Sequence, residues 1–258
     1  MLPVSVQAGL WGLLAGGALV LGAAVAWTVR VPQRVVAGVM AFGSGVLVST
    51  VAFELVDEAY QLAGLTPTVL GFAVGAVIYT AADVVLARQG ARHRKRSDGL
   101  QPSEDEDSGS GLAIAVGALL DGIPESAVIG VSLLGGGGVG VATVVAIFIS
   151  NLPEGLSSAA GMKVSGRSAR YVFGVWTAIA VLSGLAALLG YVGGQALGDT
   201  GVAALTALAA GAILAMLTDT MIPEAVSGEG GKGGGVQSGT GLLAGLGFLV
   251  AFAIGRLG

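Results

Sequence analysis

The chain predicts an all-α membrane protein, and three observations carry that prediction. Only 11% of its residues are charged while 54% are hydrophobic, against roughly 25% charged in soluble domains. Its apolar residues fall in long runs, each close to the about 20 residues that an α-helix needs to cross a bilayer. No run shows the short period-two alternation of a membrane β-barrel. The 46 glycines crowd these runs together with alanine, as expected where small residues let helices approach backbone to backbone in lipid. The absence of cysteine excludes disulfides, thiolate metal ligands, iron–sulfur clusters and cysteine nucleophiles together.

Eight spans are expected, in chain order. The first, 5–29, lacks a basic leader and a cleavage site after a short core, so it reads as a helix and not as a removed signal. The second, 35–57, starts after Arg30 and Arg34 and closes on Glu54, Asp57 and Glu58. The third, 67–87, is apolar up to Asp83 and stops at a basic cluster. The fourth and fifth, 112–134 and 138–161, carry acids and prolines in their middles. The sixth, 171–195, holds no charge at all, and the seventh, 201–225, contains Asp219 and Glu224. The eighth, 239–257, follows a Gly-rich stretch at 228–235. That stretch lacks the Gly-Lys-Ser/Thr ending of a phosphate loop and reads as a flexible linker. Together the spans form one transmembrane domain over residues 1–258, in a multi-pass protein of the cell membrane.

Basic residues orient the bundle. Arg30 and Arg34, the cluster Arg88 to Arg96, Lys163, Arg167, Arg170 and Lys232 all fall on alternate connections, leaving only Arg256 near the chain end. The positive-inside rule makes that side cytoplasmic and both termini extracytoplasmic. The longest hydrophilic segment, about 88–111, is basic through Arg92-His-Arg-Lys-Arg96 and acidic through Glu104-Asp-Glu-Asp107. Its composition is too polar to bury a core, so a mobile cytoplasmic loop is expected. A regulatory metal site at His93 and the acidic tract is a weaker alternative to that solvated loop.

The chemistry concentrates in spans four and five. Asp121 lies about ten residues into span four, near mid-depth at 1.5 Å per residue. Glu125 is four residues on, on the same face. Span five returns with Ser150, Asn151 and Glu154 at comparable depth. Pro124 and Pro153 stand directly before the two glutamates, and each strips a helical donor from the carbonyl one turn upstream, at Leu120 and Ile149. Freed carbonyls in broken helices are one way membrane proteins build ion sites. Charged groups at this depth cost at least a few kcal/mol each and mark function by default. Three carboxylates, an amide and freed carbonyls are oxygen donors suited to Mg²⁺, Mn²⁺ or Ca²⁺, with Zn²⁺ also admissible. The plainer alternative is three protonated acids hydrogen-bonded between helices whose prolines only kink.

Other acids carry weaker signals. Glu54 is deep enough to capture cations at the outer end of span two, while Asp57 and Glu58 read as interfacial. Asp83 is expected to pair with loop arginines. Asp219 and Glu224 would line an exit path or accept protons.

These motifs resemble the ZIP (ZRT/IRT-like) family of divalent-metal transporters, over nearly the whole chain. Span four of that family reads His-Asn-x-Pro-Glu-Gly, beside Asp121-Gly122-Ile123-Pro124-Glu125-Ser126. Its span five reads Gln/His-Asp/Glu-x-Pro-Glu-Gly, beside Ser150-Asn151-Leu152-Pro153-Glu154-Gly155. Phe53 to Ala59 and Asp219 to Ala225 resemble its span-two Leu-His-Leu-Leu-Pro-Glu-Ala and span-seven Asp-Glu-Leu-Ile-Pro-Glu-Ala motifs. The resemblance implies an eight-helix ZIP-like bundle. It also implies a first metal position kept by Asp121, Glu125 and Glu154, with carboxylate in place of His. The second position falls on Gly122, Asn151 and Ala187 and is expected to be lost. Asn151 and Ser150 would be auxiliary ligands.

The expectation is therefore a transporter moving a divalent cation toward the cytoplasm, its metal ion (Zn, Mn, Fe, Cd or Mg) being cargo and not a cofactor. The rival is a non-transporting ZIP-derived scaffold or metal-responsive regulator. Expected partners are the metal ion and the lipid bilayer, with a homodimer left open and no nucleic acid. No enzymatic activity is expected: no span contains His as a base, and no Gly-x-Ser-x-Gly or Gly-x-Gly-Asp string occurs.

Overall fold

The computed structural model describes residues 2–97, 99–134, 140–227 and 239–257. Eight helices in it are long and apolar enough to cross a membrane, and no strand occurs among the described residues. They are α1 (Val4–Thr28), α2 (Gln33–Ala63), α3 (Leu65–Ala87), α4 (Ser110–Val131), α5 (Val141–Val164), α6 (Ala169–Gln195), α7 (Asp199–Ser227) and α8 (Thr240–Leu257). The expected linker at 228–235 and the connection at 135–138 lie outside the described residues.

The spans fall where hydropathy places them, with differences at the ends. α2 continues past its acids to Ala63 and stops at Gly64, whose φ of 79° is open to glycine at little cost. Inside α2 the backbone widens to a π-helical stretch at Val51–Val56, and α7 does the same at Leu217–Met221. Such wide turns are a common feature of functional regions. Pro124 and Pro153 lie inside unbroken helices.

Packing makes α2, α4, α5 and α7 the interior and leaves α3 and α8 on the rim. α2 and α5 are the most buried spans, α8 and α3 the least. α1 packs on α5 and α6, α3 on α7, α8 on α2, and α4 on α6. Large apolar side chains such as Leu14, Val77, Ile78, Leu189, Leu242 and Leu249 point outward. They are the apolar exterior that a helix bundle presents to lipid. Small residues set the close crossings, that between α1 and α5 among them. A Cβ on Gly155 would run into the Leu19 carbonyl, and one on Gly22 into the Leu152 carbonyl. Gly155→Val should therefore lose more than the about 1–3 kcal/mol of ordinary overpacking, because the obstacle is backbone. A lower melting temperature and loss of the monodisperse peak of detergent-solubilised protein would register it.

The basic connections share one end of the bundle. Lys163 donates to the Trp27 carbonyl (2.6 Å), Arg167 reaches Ser110 Oγ (2.7 Å), and Gln33 reaches Glu224 (3.2 Å). Part of the loop expected over 88–111 is instead packed into the bundle, while 104–109 stay exposed. A single 3₁₀ turn at Ala91–His93 turns the chain inward, and Arg94, Lys95 and Gln101 are buried at 1%, 2% and 2% exposure. The segment satisfies its own backbone there. Gln101 Nε2 donates to the carbonyls of Arg94, Arg96 and Ser158 (2.9–3.0 Å), and Ser157 donates to the Lys95 carbonyl (2.7 Å). Composition failed as a guide because the bundle supplies the partners that water would otherwise provide.

Candidate cation site between α4 and α5

Three of the residues singled out by the sequence come together in the interior. Asp121 and Glu125 are 1% exposed and Glu154 is 3% exposed. Asp121 is eleven residues inside α4, about 16 Å from its start, and Glu154 is ten residues from the end of α5, about 15 Å. The two depths agree because the helices run antiparallel from the same end.

What fills the space beside these acids is the chain's own cations. Arg94 forms a two-pronged contact with Asp121, Nε to Oδ2 at 2.9 Å and Nη2 to Oδ1 at 2.8 Å. Its third nitrogen reaches Asp83 Oδ1 at 2.6 Å. Tyr79 donates to Asp121 Oδ1 at 2.5 Å and accepts from Arg94 Nη2 at 2.7 Å. Lys95 Nζ lies between the two helices, 3.2 Å from Asp121 Oδ2 and 2.9 Å from Glu154 Oε2. Burial alone would pull the Lys95 ammonium down, but Asp121 and Glu154 together hold it above its ordinary value. Lys95 is therefore a buried cation.

Glu125 completes the cluster without a fixed partner. Its Oε1 is buried and accepts no hydrogen bond. Three carboxylates, those of Asp83, Asp121 and Glu154, thus pair with two cations, and Glu125 is buried one turn along α4 from Asp121. A buried region with acid in excess favours any further positive charge that reaches it.

The remaining candidates are placed elsewhere. Ser150 donates to the Ile147 carbonyl of its own helix (3.0 Å), and Asn151 Nδ2 donates across to the Ala15 carbonyl of α1 (3.0 Å). Both side chains thus engage backbone, Asn151 as a polar tie between α1 and α5. Glu54 lies against Gly255 of α8, beside a Phe53–Phe248–Phe252 aromatic cluster. Among the described residues, no three His, Cys, Asp or Glu side chains converge as ready metal ligands. Lys95 stands between the acids that would have to do so.

Sequence reasoning missed Arg94, Lys95 and Tyr79 as members of this cluster, although it paired Asp83 with a loop arginine. A usable signal was present. Three mid-depth acids had no cation in any span, and the nearest unassigned cations were those following span three. Glu224, at the same end, is also wholly buried. It accepts from the Ser97 amide (3.1 Å) and Gln33 (3.2 Å), lies 2.9 Å from the Ser157 hydroxyl, and pairs with Arg96 Nε at 3.2 Å.

Compared with known proteins, the chain matches no family model and no curated protein.

Proposed function

We propose that the chain carries a divalent metal cation across the cell membrane toward the cytoplasm, with Asp121, Glu125 and Glu154 as the cargo's ligands. The observation that carries this reading is Lys95 Nζ held between Asp121 and Glu154 at 3.2 and 2.9 Å. The place the acids create is one where a positive charge is stable deep inside the bundle. Oxygen donors without sulfur or imidazole suit a hard or borderline divalent ion. The motif resemblance to ZIP transporters points the same way, and the end bearing the basic loops is then cytoplasmic.

Glu125→Gln is the discriminating variant. It replaces a proposed ligand oxygen with an amide at a side chain whose Oε1 makes no hydrogen bond, so no hydrogen bond of that atom is lost. Uptake of Mn²⁺ into proteoliposomes should fall at least about tenfold, which needs only about 1.4 kcal/mol of lost binding, with melting unchanged within a few degrees. Unaltered uptake would remove Glu125 from the ligand set.

The second reading, a non-transporting scaffold or metal-responsive regulator derived from the same bundle, draws on the same contacts. Arg94 and Lys95 already neutralise much of the site. Absence of uptake for every divalent ion by folded wild-type protein would favour it.

A further inference from the structure

Resting on the cation-site reading above, we infer that Arg94–Ser97 is a built-in plug whose Lys95 ammonium occupies the cargo's place and must leave for a divalent ion to bind. Three features argue that the bundle is shaped to receive this segment.

The segment is anchored at both ends, on different helices. Arg94 is clamped by Asp121, Asp83 and Tyr79 from α4 and α3. Arg96 and Ser97 are held by Glu224 of α7. Between them the Lys95 carbonyl accepts from Ser157 of α5. The segment therefore contacts α3, α4, α5 and α7 together.

The receiving wall is cut away to fit. A Cβ on Gly117 of α4 would lie 2.6 Å from Arg94 Cδ, and one on Gly161 of α5 would run into the Arg96 carbonyl and the Gln101 side chain. Neither glycine has a positive φ. What each provides is room for the loop.

Occupancy by Lys95 and by metal is mutually exclusive. A divalent ion bridging Asp121 and Glu154 would sit where Nζ now sits, and two positive centres cannot share that enclosed volume. Lys95 thus acts as a tethered competitor: bound metal displaces the segment, and the seated segment weakens metal binding.

The test measures Mn²⁺ binding to purified full-length protein in detergent, by loss of the free-ion paramagnetic resonance signal. Lys95→Gln should bind Mn²⁺ at least tenfold more tightly than wild type; equal or weaker binding overturns the plug. Because Lys95→Gln leaves Glu154 without its ion pair and folding has to be checked, Gly161→Ala serves as a second variant. It keeps every charge, obstructs the seated loop and should tighten Mn²⁺ binding in the same direction. Hydrogen–deuterium exchange on wild type needs no variant: the amides of 91–101 should exchange slowly alone and faster with saturating Mn²⁺, and an unchanged pattern overturns the proposal. Proteoliposome uptake separates this inference from the one beneath it. Tighter Mn²⁺ binding by Lys95→Gln with no uptake by either protein leaves the plug standing and removes transport. Wild-type uptake with equal affinities removes the plug and leaves transport. No Mn²⁺ binding by either protein removes both.

Discussion

Asp121→Ala is expected to be the most damaging single substitution among the polar residues of the bundle. Asp121 holds both prongs of Arg94, the Tyr79 hydroxyl and one side of Lys95. Removing it leaves a guanidinium that cannot shed its proton buried at 1% exposure, with Asp83 as its remaining ion-pair partner among the described residues. Breaking a buried pair in this way costs about 3–5 kcal/mol, enough to erase much of the stability of an ordinary domain. Replacing both members with apolar side chains of similar size is often close to neutral. Arg94→Met combined with Asp121→Leu should therefore recover most of the loss, while Arg94→Met alone falls between. Thermal or denaturant melting of wild type and the three variants in one detergent makes the comparison. If the double variant melts as low as Asp121→Ala, the pair is not the source of the effect.

Spans are legible because the bilayer imposes a length and an apolarity that few other structures need, and all eight lie within a few residues of hydropathy. The mid-depth grouping of Asp121, Glu125 and Glu154 follows from helix rise and from two antiparallel helices entering from one end. What periodicity does not carry is azimuth between neighbours. Asn151 and Glu154 are one turn apart on α5, yet one ties to the Ala15 carbonyl and the other faces Lys95. Periodicity also does not foresee the π-helical widening at Val51–Val56, the stretch of α2 that carries Glu54 against Gly255 of α8. The inserted segment was the hardest feature to foresee. A run of Arg and Lys is normally solvated, and only the count of buried acids without cations argues otherwise.

Glu224→Ala is the second substitution expected to have a large effect, and it acts from the far end of the same segment. The carboxylate is wholly buried and gathers the Ser97 amide and hydroxyl, Ser157, Gln33 and Arg96 Nε. The Ser157 and Ser97 hydroxyls keep the Lys95 carbonyl and Gln33 as acceptors, but an alanine there takes this acceptor from the Ser97 amide and the partner from Arg96 Nε, and a buried donor left unmatched costs about 1–3 kcal/mol. The chain has a cheaper response than keeping them buried. Segment 94–97 can swing out toward water, carrying Arg96, Ser97 and Lys95 with it. The expected result is thus a partial loss of stability, about 2–4 kcal/mol after this relaxation, together with faster amide exchange over 91–101. Asp121→Ala should instead keep Glu224 and its Ser97 contact in place while losing more stability. Two variants at opposite ends of one loop would then differ in opposite senses, the Arg94 end dominating stability and the Glu224 end dominating loop release. Finding slow exchange at 91–101 in folded Glu224→Ala would show that Arg94 alone holds the segment seated.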